Sequence, residues 1–519
     1  VVKNTDQKFH LRKRLQALTF LGEYSAFTFL IVVAFALRFI GIQKNSLNSD
    51  ELYSFLQAQG DLFTHLIKDI HPPLYIALVK PFTFFGPELS TRGISALAGV
   101  IFCILVWQIA RRAYGVRIAM ICLLFASVSA PLIWLSTMGR SYSLFMALAA
   151  LSLLSLVRLR EKPGLWRMLI LSISMAAALY TFYYAVFLFI FFTFVFFFDW
   201  LNKRKSFAHG LGAIAISILL CLPLLFLAAT QYGRVATIMP WSVWEPGPYQ
   251  LLRRIMLIFV KFSPAAPISD MAYAFHPAIA GKIVTLLIFI TILIFGTIGA
   301  IRKNRGNPTV GLLLGLVFFS TSLAIFLHWF AHLMIAEHYF AFLAIAVFPI
   351  TAAGCLLPRN KFIAYGLVAL IVAVNLFALP AYRERSTENL REAAELIDDK
   401  ATEDAVVITV AFFIADAYRV YGKKDLLVVG LPSDLPGHTT LSREADGFVE
   451  EKHRSSFESI LIGRNEIFFI ASHWKRADKD RGVQLAEKWL TINGFALSGV
   501  WSTGPKTTVS RFSKENAIP

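Results

Sequence analysis

The chain has 519 residues, of which 57% are hydrophobic and only 16% charged, with a mean hydropathy of +0.62. A soluble domain carries about 25% charged residues, so the composition excludes an ordinary soluble fold and predicts a polytopic helical membrane protein. The formal net charge is +17, but the lysines and arginines gather in short runs between apolar segments, which marks topology rather than a nucleic-acid groove; no nucleic-acid partner is expected.

In chain order, the basic run "KFHLRKR" leads into a long apolar segment with no small-residue cleavage site, and reads as the flank of a span rather than a cleavable signal. Eleven spans are predicted, near residues 24–42, 89–110, 117–134, 139–157, 166–182, 184–201, 207–229, 281–301, 309–330, 338–357 and 361–380. Each is close to the roughly 20 residues a bilayer requires. Five further basic loops separate them: "RRAYGVR", "RLREKPGLWR", "NKRK", "IRKNRGNP" and "PRNK". With the N-terminus in the cytoplasm, all six basic runs fall on the cytoplasmic side. Loop 43–88, the turns near Ser136, Tyr183 and Ala336, segment 230–280 and everything after Pro380 then lie outside.

Two apolar stretches are left out of the span count. "PLYIALVKPFTFFG" is only about 13 residues long and contains Lys80 and Pro81; as a span it would force "RRAYGVR" outside, so it reads as a short interfacial helix. "YQLLRRIMLIFVKF" places basic residues on an apolar helix and reads as lying on the membrane. Cys103, Cys122, Cys221 and Cys355 all fall inside apolar runs, as small buried hydrophobes do, and no cysteine spacing suggests zinc.

Past Pro380 the pattern changes. "NLREAAELIDDK" reads as an amphipathic helix, "DAVVITV" as a strand, "FFIADAYRVYG" as a helix, and "KDLLVVG" and "NEIFFIAS" as strands. "RGVQLAEKWLTING" is a helix and "FALSGVW" and "TTVSRFS" are closing strands. This alternation predicts a small α/β domain over 381–519, extracytoplasmic, behind a membrane domain of 1–380.

The chemistry-bearing residues collect in the first outside loop and at the outer ends of the spans. Asp50 and Glu51 follow Asn48 and Ser49, either of which can cap a helix whose apolar positions are Leu52, Phe55 and Leu56. Two acids in a first turn also complement the helix dipole without any further role. Neighbouring helical residues point about 100° apart, so the two carboxylates cannot share one role; one faces a cavity and the other caps or binds. His71, in "HPPLY", can bind phosphate, hold a divalent metal with Asp50 and Glu51, or cap the Pro-Pro turn. His328 and His332 have i,i+4 spacing but no carboxylate at a matching helical position to complete a metal set.

Taken in order, "DE" in loop one, "HPPLY", "STRGISALAG" opening the second span and "GRSYSL" opening the fourth form a set. The set resembles the polytopic GT-C glycosyltransferases, and within them the superfamily of protein O-mannosyltransferases and lipid A aminoarabinose transferase with their bacterial relatives. The resemblance covers about residues 1–380 in layout. It implies a GT-C fold in the bacterial inner membrane and a catalytic acid in the first outer loop. It also implies a sugar donor on a polyprenyl phosphate, transferred to a glycan, glycolipid or protein acceptor outside the cytoplasm. Asp50 matches the family's catalytic aspartate, with Glu51 beside it. His71 stands where one branch has a lysine touching the donor phosphate. Arg92, Arg140 and Tyr142 match residues opening the second and fourth spans; with His71, His338 and Tyr339, the resemblance implies that they bind the donor phosphate or the substrate. "EHYFAF" resembles an arginine–tyrosine pair, with His338 in place of the arginine and Tyr339 as the tyrosine; Phe182, in "LYTFYY", stands where relatives often have histidine.

The chemistry agrees with that set. Sugar transfer needs a base for the acceptor hydroxyl and positive charge for the departing phosphate. Asp50 can be the base, and Arg140 can hold phosphate oxygens with two parallel bonds. A transporter or lipid flippase is the competing class, but such proteins carry ionisable residues at mid-membrane, whereas these spans are nearly free of carboxylates. A non-catalytic receptor using the C-terminal domain is a third.

Overall fold

The computed structural model describes residues 22–61, 71–238, 247–275, 280–303, 306–331, 335–385, 387–410, 412–431, 434–435, 451–472, 481–504 and 506–514. The "KFHLRKR" run, residues 62–70 before His71, and His332 lie outside these residues.

The apolar runs fold as helices: α1 (Gly22–Phe39), α4 (Pro87–Tyr114), α5 (Val116–Val128), α6 (Ala130–Thr137), α7 (Tyr142–Glu161), α8 (Leu165–Thr181), α9 (Val186–Leu201) and α10 (Ser206–Ile238). They continue with α13 (Ala280–Thr291, prolonged through a π segment, Ile292–Gly296, into Thr297–Lys303), α14 (Pro308–Ala331), α15 (Ala344–Cys355, preceded by the 3-10 turn Glu337–Leu343) and α16 (Lys361–Glu384). Among the described residues nine helices are long and apolar enough to cross a bilayer, and α5 with α6, bent by 53° at Ser129, makes a tenth. Residues 166–182, expected to span, form the 17-residue α8. The protein is a multi-pass membrane protein, and Phe29, Phe226 and Phe377 point outward from its helices, as a lipid-facing surface requires. The segment denied a span is short, α3 (Leu74–Val79) running into a 3-10 turn to Phe85. The basic loops meet at one end: Asn307 donates to the Arg112 carbonyl (2.8 Å) and Arg112 faces Glu161 (3.5 Å).

The bend between α5 and α6 exposes backbone groups that lipid cannot satisfy, and two polar residues take them up. Arg38, fully buried on α1, donates to the carbonyls of Ala126 (3.1 Å) and Ser127 (3.2 Å) and to Ser136 Oγ (3.2 Å). Asn375 on α16 accepts from Ala130 N–H (3.0 Å). Gly99 leaves the room: a Cβ there would collide with Ser136 Oγ and press on Arg38 Nε.

At the other end sit α2 (Ser49–Gln59), α11 (Pro248–Lys261), α12 (Ala266–Phe275) and the C-terminal α/β domain. Helix α11 is the segment expected to lie on the membrane. The domain consists of α17 (Leu390–Lys400), β1 (Val406–Val410), α18 (Phe412–Tyr421), β2 (Leu427–Leu431), α19 (Arg454–Ile460), β3 (Glu466–Ala471), α20 (Arg481–Ile492), β4 (Phe495–Gly504) and β5 (Thr507–Lys514). Its sheet order is β2-β1-β3-β5-β4, with β1 parallel to β2 and β3, and β5 antiparallel to β3 and β4. Alternation along each strand separates two cores. Val406, Ile408, Ile467 and Phe469 pack with Trp489 on one face. Val407, Phe468 and Ile470 pack on the other with Ile397, Ile414 and three residues from the first loop, Leu47, Leu52 and Phe55.

Candidate active site

Helix α2 begins at a capping box: Asn48 Oδ1 accepts from Glu51 N–H (3.0 Å), and Glu51 Oε2 accepts from Asn48 N–H (2.9 Å). The sequence allowed either Asn48 or Ser49 as the cap, and Asn48 takes it. The two adjacent acids then part. Asp50 is exposed, whereas Glu51 is buried at 1% exposure.

Glu51 is enclosed by N–H donors. Arg92 on α4 reaches both its oxygens, Nε to Oε1 at 2.8 Å and Nη2 to Oε2 at 2.7 Å, and Gly139 N–H donates to Oε1 at 2.6 Å. Gly139 fits there because it has no side chain: a Cβ would stand 2.8 Å from Thr91. Arg92 has further partners in the carbonyls of Ile42 (3.0 Å), Asn45 (2.7 Å) and Ser46 (2.8 Å). A guanidinium has five N–H donors, and these bonds occupy all five. Arg92, expected among the donor-phosphate or substrate contacts, here turns all five donors to Glu51 and loop carbonyls, and the pair joins loop one to the membrane helices.

Arg140 follows Gly139 and turns the other way, over the exposed side of α2. It donates from Nη1 to the Asp50 carbonyl (3.1 Å) and Ser54 Oγ (3.0 Å), and its Nη2 lies 3.2 Å from His71 Nε2. Its own carbonyl accepts from Ser95 Oγ (2.9 Å), which fixes the turn before α7. Tyr142, the first residue of α7, lies beside the Arg140 side chain. The Tyr142 ring meets His338 edge-on at 4.9 Å, and His338 meets Tyr339 at 4.5 Å. Phe182 closes the group, 5.7 Å from Tyr142 and 5.3 Å from Tyr339. Tyr142, His338 and Tyr339 all lie within the electrostatic field of both Asp50 and Arg140. The structure thus brings Asp50, His71, Arg140, Tyr142, His338 and Tyr339 into one neighbourhood, and pairs Glu51 with Arg92 apart from it.

Of the readings open to His71, the one with a metal shared by Asp50 and Glu51 has no assembled ligand set among the described residues. Glu51 faces four N–H donors, and His71 Nε2 faces a guanidinium, so Asp50, Glu51 and His71 do not present three ligand atoms to one point. Among the described residues no group of three or more His, Cys, Asp or Glu could hold a metal ion.

Residues absent from the sequence reading complete the setting. Glu88, buried at the start of α4, accepts from Tyr421 Oη (2.5 Å) and from Arg391, and Tyr421 Oη accepts from Leu47 N–H (2.9 Å). Burial, and then the nearby Glu88 carboxylate, push the Tyr421 phenol well above its usual pKa, so it stays protonated and donates. Glu388 accepts from Ser49 N–H (3.0 Å). None of these had a local signal: each is a single residue in an unremarked segment, and only the docking of the sheet domain on loop one brings them together.

The sequence profile of the dolichyl-phosphate-mannose-protein mannosyltransferase family matches residues 70–226. No curated protein matches the chain by sequence. Among solved structures, ArnT from Cupriavidus metallidurans bound to undecaprenyl phosphate is similar over 95% of this chain and 99% of its own, at 14% identity and a TM-score of 0.56. The archaeal oligosaccharyltransferase AglB from Archaeoglobus fulgidus, in complex with an inhibitory peptide and a dolichol-phosphate, is similar over 96% of this chain and 75% of its own, at 12% identity and a TM-score of 0.52. The same oligosaccharyltransferase in complex with Zn and sulfate gives 12% identity and a TM-score of 0.52, over 95% of this chain and 74% of its own. The fold is GT-C.

Proposed function

We propose that this GT-C chain is an integral-membrane glycosyltransferase that moves one sugar from a polyprenyl-phosphate carrier to an acceptor hydroxyl on the extracytoplasmic face. The single observation that carries this reading is the contact of a half-buried guanidinium, Arg140, with the first turn of α2, where it donates to the Asp50 backbone carbonyl (3.1 Å) while the Asp50 residue stays exposed. Transfer needs that combination: a base for the acceptor and a cation for the departing phosphate. The matched mannosyltransferase profile and the lipid phosphates in the ArnT and AglB structures support a lipid-linked donor.

In this reading the acceptor hydroxyl gives its proton to Asp50 as its oxygen attacks the anomeric carbon. The bond from that carbon to the phosphate oxygen breaks, and polyprenyl phosphate leaves. Arg140 holds the departing phosphate with paired N–H bonds; the hydroxyl, imidazole and carbonyl contacts named above are weaker partners that a phosphate replaces. His71, on the edge of the same guanidinium, is the second phosphate contact. Tyr142, Phe182, His338 and Tyr339 supply an aromatic wall for the sugar. Glu51 and Arg92 are structural, the clamp that sets the base-bearing helix. Acceptor candidates are a glycolipid, an envelope polysaccharide or a protein.

A transport reading would put the backbone groups of the broken α5–α6 span to work on a substrate. Arg38 and Asn375 take up the carbonyls of Ala126 and Ser127 and the N–H of Ala130 instead. The sidedness proposed here, basic loops in the cytoplasm and the α/β domain outside, follows the lysine and arginine rule.

The test is incorporation of labelled sugar into an envelope extract by the purified protein supplied with a polyprenyl-phosphate sugar. The reading expects a labelled product that depends on the protein, identified by mass spectrometry of the glycolipid, glycan and protein fractions. Protein-dependent movement of the intact lipid across a vesicle, with no new glycosidic bond, would overturn it.

A further inference from the structure

The first turn of α2 is held from two sides. On the membrane side stand Arg92 and Gly139. On the other side a short connecting segment, residues 387–390, leads into the α/β domain and is bonded to residues 45–49. Three bonds join the two segments: Asn45 Nδ2 to Thr387 Oγ1 (3.0 Å), Ser49 N–H to Glu388 Oε2 (3.0 Å), and Leu390 N–H to Ser46 Oγ (2.9 Å). Ser49 Oγ also lies 3.5 Å from Glu388 Oε1. The Glu388 carboxylate is buried at 4% exposure, and its own carbonyl accepts from Thr507 Oγ1 on β5, so the sheet fixes it in turn.

Three carboxylates therefore converge on one helix N-terminus, and their environments differ. Glu51 and Glu388 are buried and accept backbone N–H groups from residues 48, 49 and 139, while Asp50 alone is exposed. Ser49, gripped by Glu388, is the residue immediately before Asp50. Leu52 and Phe55, on the same helix, are buried in the core of the domain against Ile397 and Ile414. Helix α2 cannot pivot about its first turn without opening that core.

We propose that Glu388 is a positioning residue for the reaction: through Ser49 it makes the α/β domain a brace that fixes the direction of the Asp50 carboxylate. This rests on the reading of Asp50 as the base. A base acts only within hydrogen-bond reach of its proton, and a misplacement of about 1 Å can cost about 100-fold in rate. A residue that works solely through the base alters turnover rather than donor binding.

The experiment uses the full-length protein in nanodiscs, a labelled polyprenyl-phosphate sugar and a fixed acceptor extract, with melting temperature measured on every variant. Glu388→Ala is expected to lower kcat by about 10- to 100-fold with the donor KM unchanged. Glu388→Gln keeps an oxygen for Ser49 N–H and is expected to restore most of the rate. In an Asp50→Asn background, Glu388→Ala should cause no further loss, because residues acting as a unit are non-additive. If Glu388→Ala fails to fold, Ser49→Pro decides: it deletes the same N–H at the first helical position, where proline is favoured, after an Asn48 whose ψ of 171° accommodates it. It too should lower kcat with KM unchanged. Full turnover in Glu388→Ala or in a folded Ser49→Pro, alongside a crippled Asp50→Asn, overturns the brace and leaves the base standing. Full turnover in Asp50→Asn overturns the reading of the base itself.

Discussion

Glu51 and Arg92 form a buried two-point ion pair between residues 41 apart in the chain, with N···O distances of 2.7 and 2.8 Å. The pair joins loop one to the first membrane helix after it, and Gly139 adds the start of α7 to the same carboxylate. Removing one charge of a buried pair leaves the other uncompensated, at a cost of about 3–5 kcal/mol. Glu51→Gln should therefore show a clear fall in melting temperature and lose transfer as a consequence. A cap alone would cost only about 1 kcal/mol, so an unchanged melting temperature would reduce Glu51 to that role.

How much of this was legible beforehand divides by the range of the interaction. The helices, the shortness of the apolar segment 74–85 and the strands of the C-terminal domain follow from hydrophobic period and length, which are local. The capping box at Asn48 is local too. Asp50, Arg140, Tyr142 and His338 were singled out because a motif set carried them, and so was Arg92. Nothing in "STRGIS" reveals that the five donors of Arg92 face Glu51 and three carbonyls from residues 42–46. Arg38 and Asn375 could not be read at all, since their partners are backbone groups freed by a bend that the sequence marks only with Ser129, Ala130 and Pro131.

Arg38 yields a prediction about stability alone. Its guanidinium satisfies the carbonyls of Ala126 and Ser127 inside the bundle, and each buried group left unpaired costs about 1–3 kcal/mol. Arg38→Met fills similar volume with no donor, and should lower the unfolding midpoint in detergent strongly. Gly99→Ala, which presses a methyl against Ser136 and Arg38, should do so as well. Thermal scans on both variants check this; a wild-type midpoint in Arg38→Met would show that the bend finds other donors.

Arg140 tests the donor end of the site. A planar guanidinium binds phosphate through parallel N–H bonds that an ammonium cannot copy. Arg140→Lys should raise the donor KM and lower kcat/KM by about 10-fold or more, since a loss of about 1.4 kcal/mol is already tenfold. Its melting temperature should change little, because the side chain is only half-buried. Steady-state kinetics against donor concentration make the measurement, and full activity in the lysine variant would leave Arg140 as an anchor at the membrane interface.

Asp50 carries the last prediction. Its neighbour Glu51 is sealed by N–H donors, so of the two acids only Asp50 is exposed, on the helix turn that Arg140 contacts through the Asp50 carbonyl. Asparagine has nearly the same shape and still accepts a hydrogen bond, but it cannot take the acceptor's proton. Asp50→Asn should fold with an unchanged melting temperature, because its exposed carboxylate is not part of the buried clamp. It should bind the lipid-linked donor as the wild type does, since Arg140 is intact. Its single-turnover transfer rate should fall by about 10²–10⁴, the usual contribution of a positioned base. Glu51→Gln should show the opposite signature, a loss of stability in which the rate loss follows the unfolded fraction. Near-normal transfer by a folded Asp50→Asn protein would remove the base from this loop, and with it the chemical reason for placing the acid beside Arg140.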